Sequence, residues 1–354
     1  MPKVKPSLDW LLVLAPVSWL GEFVLHNELL TFLTAAGAIL PLAGLIGRST
    51  EQLALHAGPR LGGLLNATFG NVAELVIAFF LILENELEIV KASLTGSILG
   101  NLLLVLGLSF LFGGLRHQEQ SFNAQAAGVH ASSLTLAVIG LLMPALFVLT
   151  TDTRVFLERE VVSATVAVVL MALYAGALIF MLRTHQHLFR TPTAEEHPEW
   201  SKRKAIGMLV AATGFVAFQS EILVGSLEPA LESLGMSKFF VGLIVVPIIG
   251  NAAEHASAVT FAIRNQVDVT LEIAIGSSTQ IALFVAPLLV FVSLLVGNPM
   301  DFIFSTFEVA AVGMATLIVA LISSDGKSNW LEGLQLVGAY VIMAISFFFV
   351  RTLV

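Results

Sequence analysis

Long apolar runs separated by short polar stretches dominate this chain. Three of them, Ala92–Leu115, Val161–Leu182 and Ile273–Met300, hold no charged residue. Each exceeds the roughly 20 apolar residues that a helix needs to cross a hydrocarbon layer about 30 Å thick. Adding the less pure runs predicts eleven membrane-spanning helices, over 9–26, 29–47, 62–83, 92–113, 128–150, 161–182, 205–225, 239–263, 272–296, 303–323 and 331–352. Membrane strands are not indicated, because the runs are about twice a barrel strand's length and do not alternate. The pattern reads as an all-α polytopic membrane protein.

One polar segment stands apart. Arg183–Lys204, RTHQHLFRTPTAEEHPEWSKRK, packs eight charges and two prolines into 22 residues. It reads as a solvated linker that divides the chain into an N-terminal helix (1–28), a first five-helix unit (29–182), the linker itself (183–204) and a second five-helix unit (205–354). Lys3 and Lys5 precede the first apolar run as in a signal peptide. No convincing small-x-small cleavage site follows, so this run is read as a retained span or interfacial helix. Twelve lysines and arginines fall on the side of the N-terminus and linker and five on the other. Positive charge favours the cytoplasmic side, which predicts a cytoplasmic N-terminus and linker and a C-terminus outside.

The two halves repeat. An ungapped shift of 180 residues lays Gly70-Asn71-Val72-Ala73-Glu74 over Gly250-Asn251-Ala252-Ala253-Glu254, Gly96-Ser97 over Gly276-Ser277, and Glu88 over Asp268. Two matches in register in successive spans are hard to obtain by chance. Five spans per half is an odd number, so equivalent helices should run in opposite directions. That is the inverted repeat of secondary transporters, whose substrate sites lie near the midplane where the repeats meet.

Composition narrows the functions open to such a fold. Charged residues make up only 12% of the 354 residues and apolar ones 57%, with a mean hydropathy of +0.91. A soluble domain carries about 25% charged residues, so a globular cytosolic enzyme is excluded. The absence of cysteine excludes disulfides, thiolate metal sites and cysteine nucleophiles. A net charge of −8 disfavours nucleic acid as a partner. No cofactor is implied, and a homo-oligomer is left open.

Against this background two carboxylates are conspicuous. Glu74 and Glu254 fall near the middle of predicted spans. There a charged side chain costs about 2.5–3.5 kcal/mol or more and is tolerated only toward protein or an aqueous cavity. Asn71 and Asn251 each precede a glutamate by three residues and share its helix face. Gly70 and Gly250 permit close helix approach or a local break. Pro247 predicts a bend in the second copy, and Gly62 and Gly63 offer flexibility in the first. Ser97 and Asn101 in the next span, with Ser277 and Gln280 in its counterpart, add matching polar groups. Single serines and amides of this kind serve equally well as inter-helix hydrogen bonds. With no lysine or arginine in these spans, the set is all oxygen and suits a hard cation, calcium especially. Two carboxylates in a low dielectric resist being ionised together. The site should therefore hold either a divalent cation or protons, and should resist closure when empty and doubly negative.

The segments GNVAELVIAF and PIIGNAAEHASAVTFAIRN resemble the two signature repeats of the Ca2+/H+ antiporters, the CAX family of the cation/calcium exchanger superfamily. ASLTGSILGNLLLVLG, LALHAGPRLGGLLNATFGN and SEILVGSLEPALESLGMSKFFVGLIVVPIIGN are similar to that family as well. The resemblance covers nearly all of the chain after about residue 45. It implies eleven helices, an inverted repeat, and Glu74 and Glu254 as a shared site for Ca2+ and protons, the transported ions. Na+/Ca2+ exchangers typically carry proline before the acidic residue. Ala73 and Ala253 stand there in this chain, which favours the proton-coupled branch. The resemblance points to a prokaryotic inner membrane and to alternating access at the shared site.

Other groups are weaker candidates. His255 adjoins Glu254 but points about 100° around the helix, so a packed histidine competes with a proton relay. Glu221 and Glu308 lie near span ends and fit either an ion path or interfacial anchoring. Glu84, Glu86 and Glu88 fit a solvated loop better than a cation funnel. Glu195, Glu196 and Glu199 sit among basic residues, a poor calcium-regulatory site. A Na+-coupled exchanger and a cation channel are the alternative functions. An intramembrane protease is the enzyme alternative, disfavoured because no HExxH is present.

Overall fold

A computed structural model of the chain describes residues 8–150, 156–189 and 198–350. Lys3, Lys5, Glu195 and Glu196 lie outside the described residues. Ten of the described helices are long and apolar enough to cross a membrane. They are α1 (Leu8–Leu25), α2 (Glu28–Gly58), α4 (Leu87–Arg116), α5 (Ala124–Val148), α6 (Glu158–Thr184), α7 (Lys202–Gly225), α8 (Lys238–Ile263), α9 (Val267–Val296), α10 (Thr306–Asp325) and α11 (Trp330–Phe349). Between α2 and α4 lie a helical stretch over 59–69 and the short apolar helix α3 (Val72–Leu83), neither of which is long enough to span by itself. The protein is an all-helical, multi-pass membrane protein.

Local chemistry explains the helix ends. Asn27 accepts from the Leu30 amide at the start of α2, and Ser201 from the Lys204 amide at the start of α7. Ser305 with Glu308, and Asn329 with Glu332, form capping boxes for α10 and α11. Each satisfies amides that a helix start leaves without an intrahelical partner. Gly297 closes α9 at φ +91°, a conformation that side chains with a Cβ resist.

Two boundaries differ from the sequence reading. The apolar run of α2 ends near residue 47, but the helix continues through polar Arg48–Gly58. At 1.5 Å per residue its 31 residues extend about 46 Å, well beyond the hydrocarbon layer. Hydropathy marks where apolar character ends, and a helix can project past that point. Gly62 and Gly63, where flexibility is expected, are both helical. The kink falls at Gly58, whose φ of +79° and ψ of 172° interrupt the helix.

Hydrogen bonds define two faces of the bundle. On the linker face, Gln120 donates to the Ala262 carbonyl, the Asn123 amide to Asp268, and the Asn123 side chain to the Leu188 carbonyl. The Trp200 amide donates to Gln52 on the projecting end of α2. A two-residue antiparallel pair, β1 (Gln120–Ser121) with β2 (Lys327–Ser328), lies on this face too. On the opposite face, Asn298 donates to the Ile82 carbonyl at the end of α3, and Lys91 pairs with Asp301 at 2.6 Å. Thus α3 ends on the opposite face, whereas its repeat counterpart α8 ends on the linker face. The two repeats are inverted. The first helix, α1, is packed into the bundle through Ser18, which donates to Gln219 of α7.

Candidate functional site where the repeats cross

The two signature motifs lie on helices irregular for different reasons. In the first copy the helix is interrupted at Gly70–Asn71, and α3 restarts with Glu74 in its first turn. A helix start favours a carboxylate through its unpaired amides and dipole. In the second copy Pro247 has no N–H for the Leu243 carbonyl four residues earlier. A π-helical turn over Val241–Val245 absorbs that mismatch, and the helix then runs unbroken through Gly250-Asn251. The proline irregularity is therefore a turn ahead of the motif, while the glycine break is within it.

These helices bring the predicted residues together across the repeat boundary. Glu74 Oε1 accepts from Ser97 Oγ at 2.7 Å and from Asn251 Nδ2 at 2.6 Å. Asn251 also lies against Ser97 Oγ and the Pro247 carbonyl. In the second cluster Asn71 Nδ2 donates to Gln280 Oε1 at 3.0 Å, Ser277 Oγ donates to Asn71 Oδ1 at 3.3 Å, and Asn101 Nδ2 reaches Ser277 Oγ at 3.4 Å. Each signature glycine receives the other repeat's acid. A Cβ on Gly250 would lie 3.0 Å from Glu74 Cγ, and one on Gly70 would lie 3.7 Å from Glu254 Oε1.

Three buried oxygens in this cluster have no hydrogen-bond partner: Glu74 Oε2, Glu254 Oε2 and Asn101 Oδ1. Buried acceptors without donors are costly. Here all three are oxygens in a cluster without a basic group among the described residues. A hard cation supplies what they lack, and so, at the carboxylates, does a proton.

The cluster is flanked by two cavities of unequal size. A cavity of about 350 Å³ extends from linker residues Gln186, Leu188 and Phe189 to Gly276, Thr279 and Gln280. On the other side a crevice of only about 10 Å³ lies beside Glu74 and Ser97, walled by Ile77, Val246, Val285 and Leu289. The repeats explain the difference. A Cβ on Gly96 would fall 1.9 Å from the Leu243 carbonyl oxygen, so α4 and α8 are in direct backbone contact there. At the equivalent Gly276 the nearest atom is Glu272 Oε1 at 3.1 Å, and Gly63, the counterpart of Leu243, lines the cavity instead.

The remaining candidates stand elsewhere. His255 makes no hydrogen bond among the described residues, and Glu221 is exposed near the end of α7. Glu308 is buried, but Thr95 and the Ser305 amide occupy its oxygens. Its geometry is that of a capping residue. Sequence reasoning missed His130 and Glu272, which line the linker-side cavity and bond at 2.9 Å. In sequence Glu272 falls at the edge of a predicted span, and its one signal is its position four residues before Gly276.

Comparison with known proteins agrees with this architecture. The family described as "Sodium/calcium exchanger protein" matches twice, over residues 27–183 and 204–349. A Ca2+/H+ antiporter of Aphanothece halophytica is 45% identical, with 96% of this chain and 95% of the relative covered. The Ca2+/H+ antiporter ChaA of Bacillus subtilis is 44% identical, over 94% and 96%. The solved structure of native YfkE superposes with a TM-score of 0.85 at 40% identity, covering 97% of this chain and 100% of that one. By sequence and by fold, the chain belongs to the sodium/calcium exchanger protein family and stands within it among the Ca2+/H+ antiporters.

Proposed function

We propose that this protein is a secondary transporter that exchanges Ca2+ for protons at a site shared by Glu74 and Glu254. The observation that carries this reading is the pair of buried, unpartnered carboxylate oxygens, one from each repeat, in a cluster with no basic side chain among the described residues. Asn71, Asn251, Ser97, Asn101, Ser277 and Gln280 supply the further oxygens that Ca2+ requires, about six to eight in all with water included. Gly70 and Gly250 make room for the acids.

Coupling follows from charge. One Ca2+, or protons on the two carboxyls, removes most of the site's negative charge. An empty, doubly negative site is disfavoured in a closed, water-free state. The carrier then changes faces only when loaded, so each ion's movement drives the other's return. The unequal packing at Gly96 and Gly276 supports alternating access, in which the two repeats exchange arrangements. The linker side carries more positive charge, so we assign it to the cytoplasm of a prokaryotic cell and its cavity to inward access.

Purified protein in liposomes, with Ca2+ and internal pH recorded together, tests this. Exchange predicts uphill Ca2+ movement on an imposed pH gradient, with protons moving the other way. A channel would only let Ca2+ run down its own gradient, and that result would overturn the proposal.

A further inference from the structure

The linker-side cavity holds an ionisable pair that the exchange site does not use. His130 on α5 is buried, and its Nε2 lies 2.9 Å from Glu272 Oε2 on α9. Glu272 is about half exposed, and its open side faces the cavity. The other groups around the pair are Phe189, whose ring meets His130 edge-on at 5.6 Å, Tyr174 of α6, and Asp268, which accepts from the Asn123 amide. None of these carries a positive charge. Among the described residues His130 is thus the one group there able to neutralise Glu272, and only when it is protonated.

The pair has no counterpart across the repeat. The shift of 180 residues places Ala92 at the position of Glu272. A group needed to build the inverted fold itself would be expected twice. This one occurs once, on the face where the cavity is open.

We propose that His130 and Glu272 form a pH-sensitive electrostatic gate for Ca2+ approaching from the linker side. With His130 protonated the pair is neutral and the cavity's pull on cations falls to that of Asp268. With His130 neutral, the Glu272 charge faces the water of the cavity and raises the local Ca2+ concentration, by roughly tenfold for a narrow low-dielectric cleft. Imidazole titrates near neutrality, so the gate responds to the pH range in which a cell operates. Glu272 acts through its field and need not touch the ion at the exchange site. The inference rests on the proposed Ca2+/H+ exchange.

The test is the KM for Ca2+ presented to the linker face of oriented proteoliposomes, measured from pH 6 to pH 8 for the parent, His130→Gln and Glu272→Gln. The parent KM should fall across that range by about tenfold more than proton competition at Glu74 and Glu254 gives by itself. His130→Gln should lower the KM at pH 6 and leave only the slope of that competition, because Glu272 is never neutralised. Glu272→Gln should raise the KM at pH 8 and leave the same residual slope. A purely structural pair would move both variants in the same direction and leave the slope in place. Either that outcome or unchanged profiles would overturn the gate while leaving exchange intact. A parent that moves no Ca2+ against a pH gradient would overturn both readings.

Discussion

Asn251 donates to Glu74 at 2.6 Å, joining residues 177 positions apart and belonging to different repeats. The acid of the first motif is therefore oriented by the amide of the second. Asn251→Ala should remove this donor and leave Glu74 free to turn from Ser97. A hydrogen bond to a charged group contributes about 1.5–3 kcal/mol. The expected effect is at least a tenfold rise in the Ca2+ KM, with the protein still folded and monodisperse. An unchanged KM would show that the bond has no part in ion binding.

Gly96 and Gly276 should differ under the same substitution. Gly96→Ala would drive a methyl into the Leu243 backbone, 1.9 Å from its carbonyl oxygen, and push α4 from α8. Overpacking of this kind costs about 1–3 kcal/mol, so closure of the opposite face should fail. Gly276→Ala would meet a movable carboxylate at 3.1 Å and is accommodated in this conformation. It should bind Ca2+ from the linker side yet lose turnover, because Gly276 must pack closely when the arrangements swap. Binding and flux measured on the same preparations check this. Full turnover by Gly276→Ala would contradict the swap.

Lys238 bridges Glu86 and Glu228 on the closed face. The Lys238 hydrogen bond and charge hold the Glu228 carboxyl below the usual carboxylate range. A lowered acid contributes its stabilisation above the unfolded value, and loses it as pH falls through the folded one. The clasp should therefore be complete at neutral pH and weaken only in acid. The chain has no cysteine, so a single Ser93→Cys reports access to the crevice beside Glu74. Labelling from the opposite face should rise when Lys238→Ala is added, and in acid with Lys238 intact when the rate is taken relative to a free thiol at the same pH.

Glu308 should tolerate loss of charge. Its side chain closes a capping box with Ser305, a role that glutamine also fills. Glu308→Gln should keep exchange near the parent rate, whereas Glu308→Ala should lower stability by about 1 kcal/mol. Abolished exchange in a folded Glu308→Gln protein would restore it to the ion path.

The repeat and the membrane spans were legible because both leave periodic or paired marks. Glu74 and Glu254 stand out as isolated charges at matching positions, and the residues named beside them meet across the repeat boundary. What depends on backbone detail was not legible. The Gly58 kink looks no different in sequence from helical Gly62 and Gly63, and a break open to both Gly70 and Gly250 occurs at Gly70–Asn71 alone of the two. The projecting end of α2 is polar and helical at once, which a hydropathy reading takes for a loop. His130 and Glu272 are 142 residues apart, with no repeat copy to draw attention to them. Glu308 fits an ion path or interfacial anchoring equally well in sequence, and its bonds in the structure are those of a helix start.

The central claim is that Ca2+ and protons compete for the same two carboxyls. Proton release on adding Ca2+ to purified protein in weakly buffered detergent, at a pH where the empty site is protonated, measures this most directly. The account predicts one to two protons released per Ca2+ bound, consistent with charge balance at a paired-acid site. It also predicts less release in Glu74→Gln and Glu254→Gln, and none in the double variant. Undiminished Ca2+ binding by the parent without proton release would contradict it.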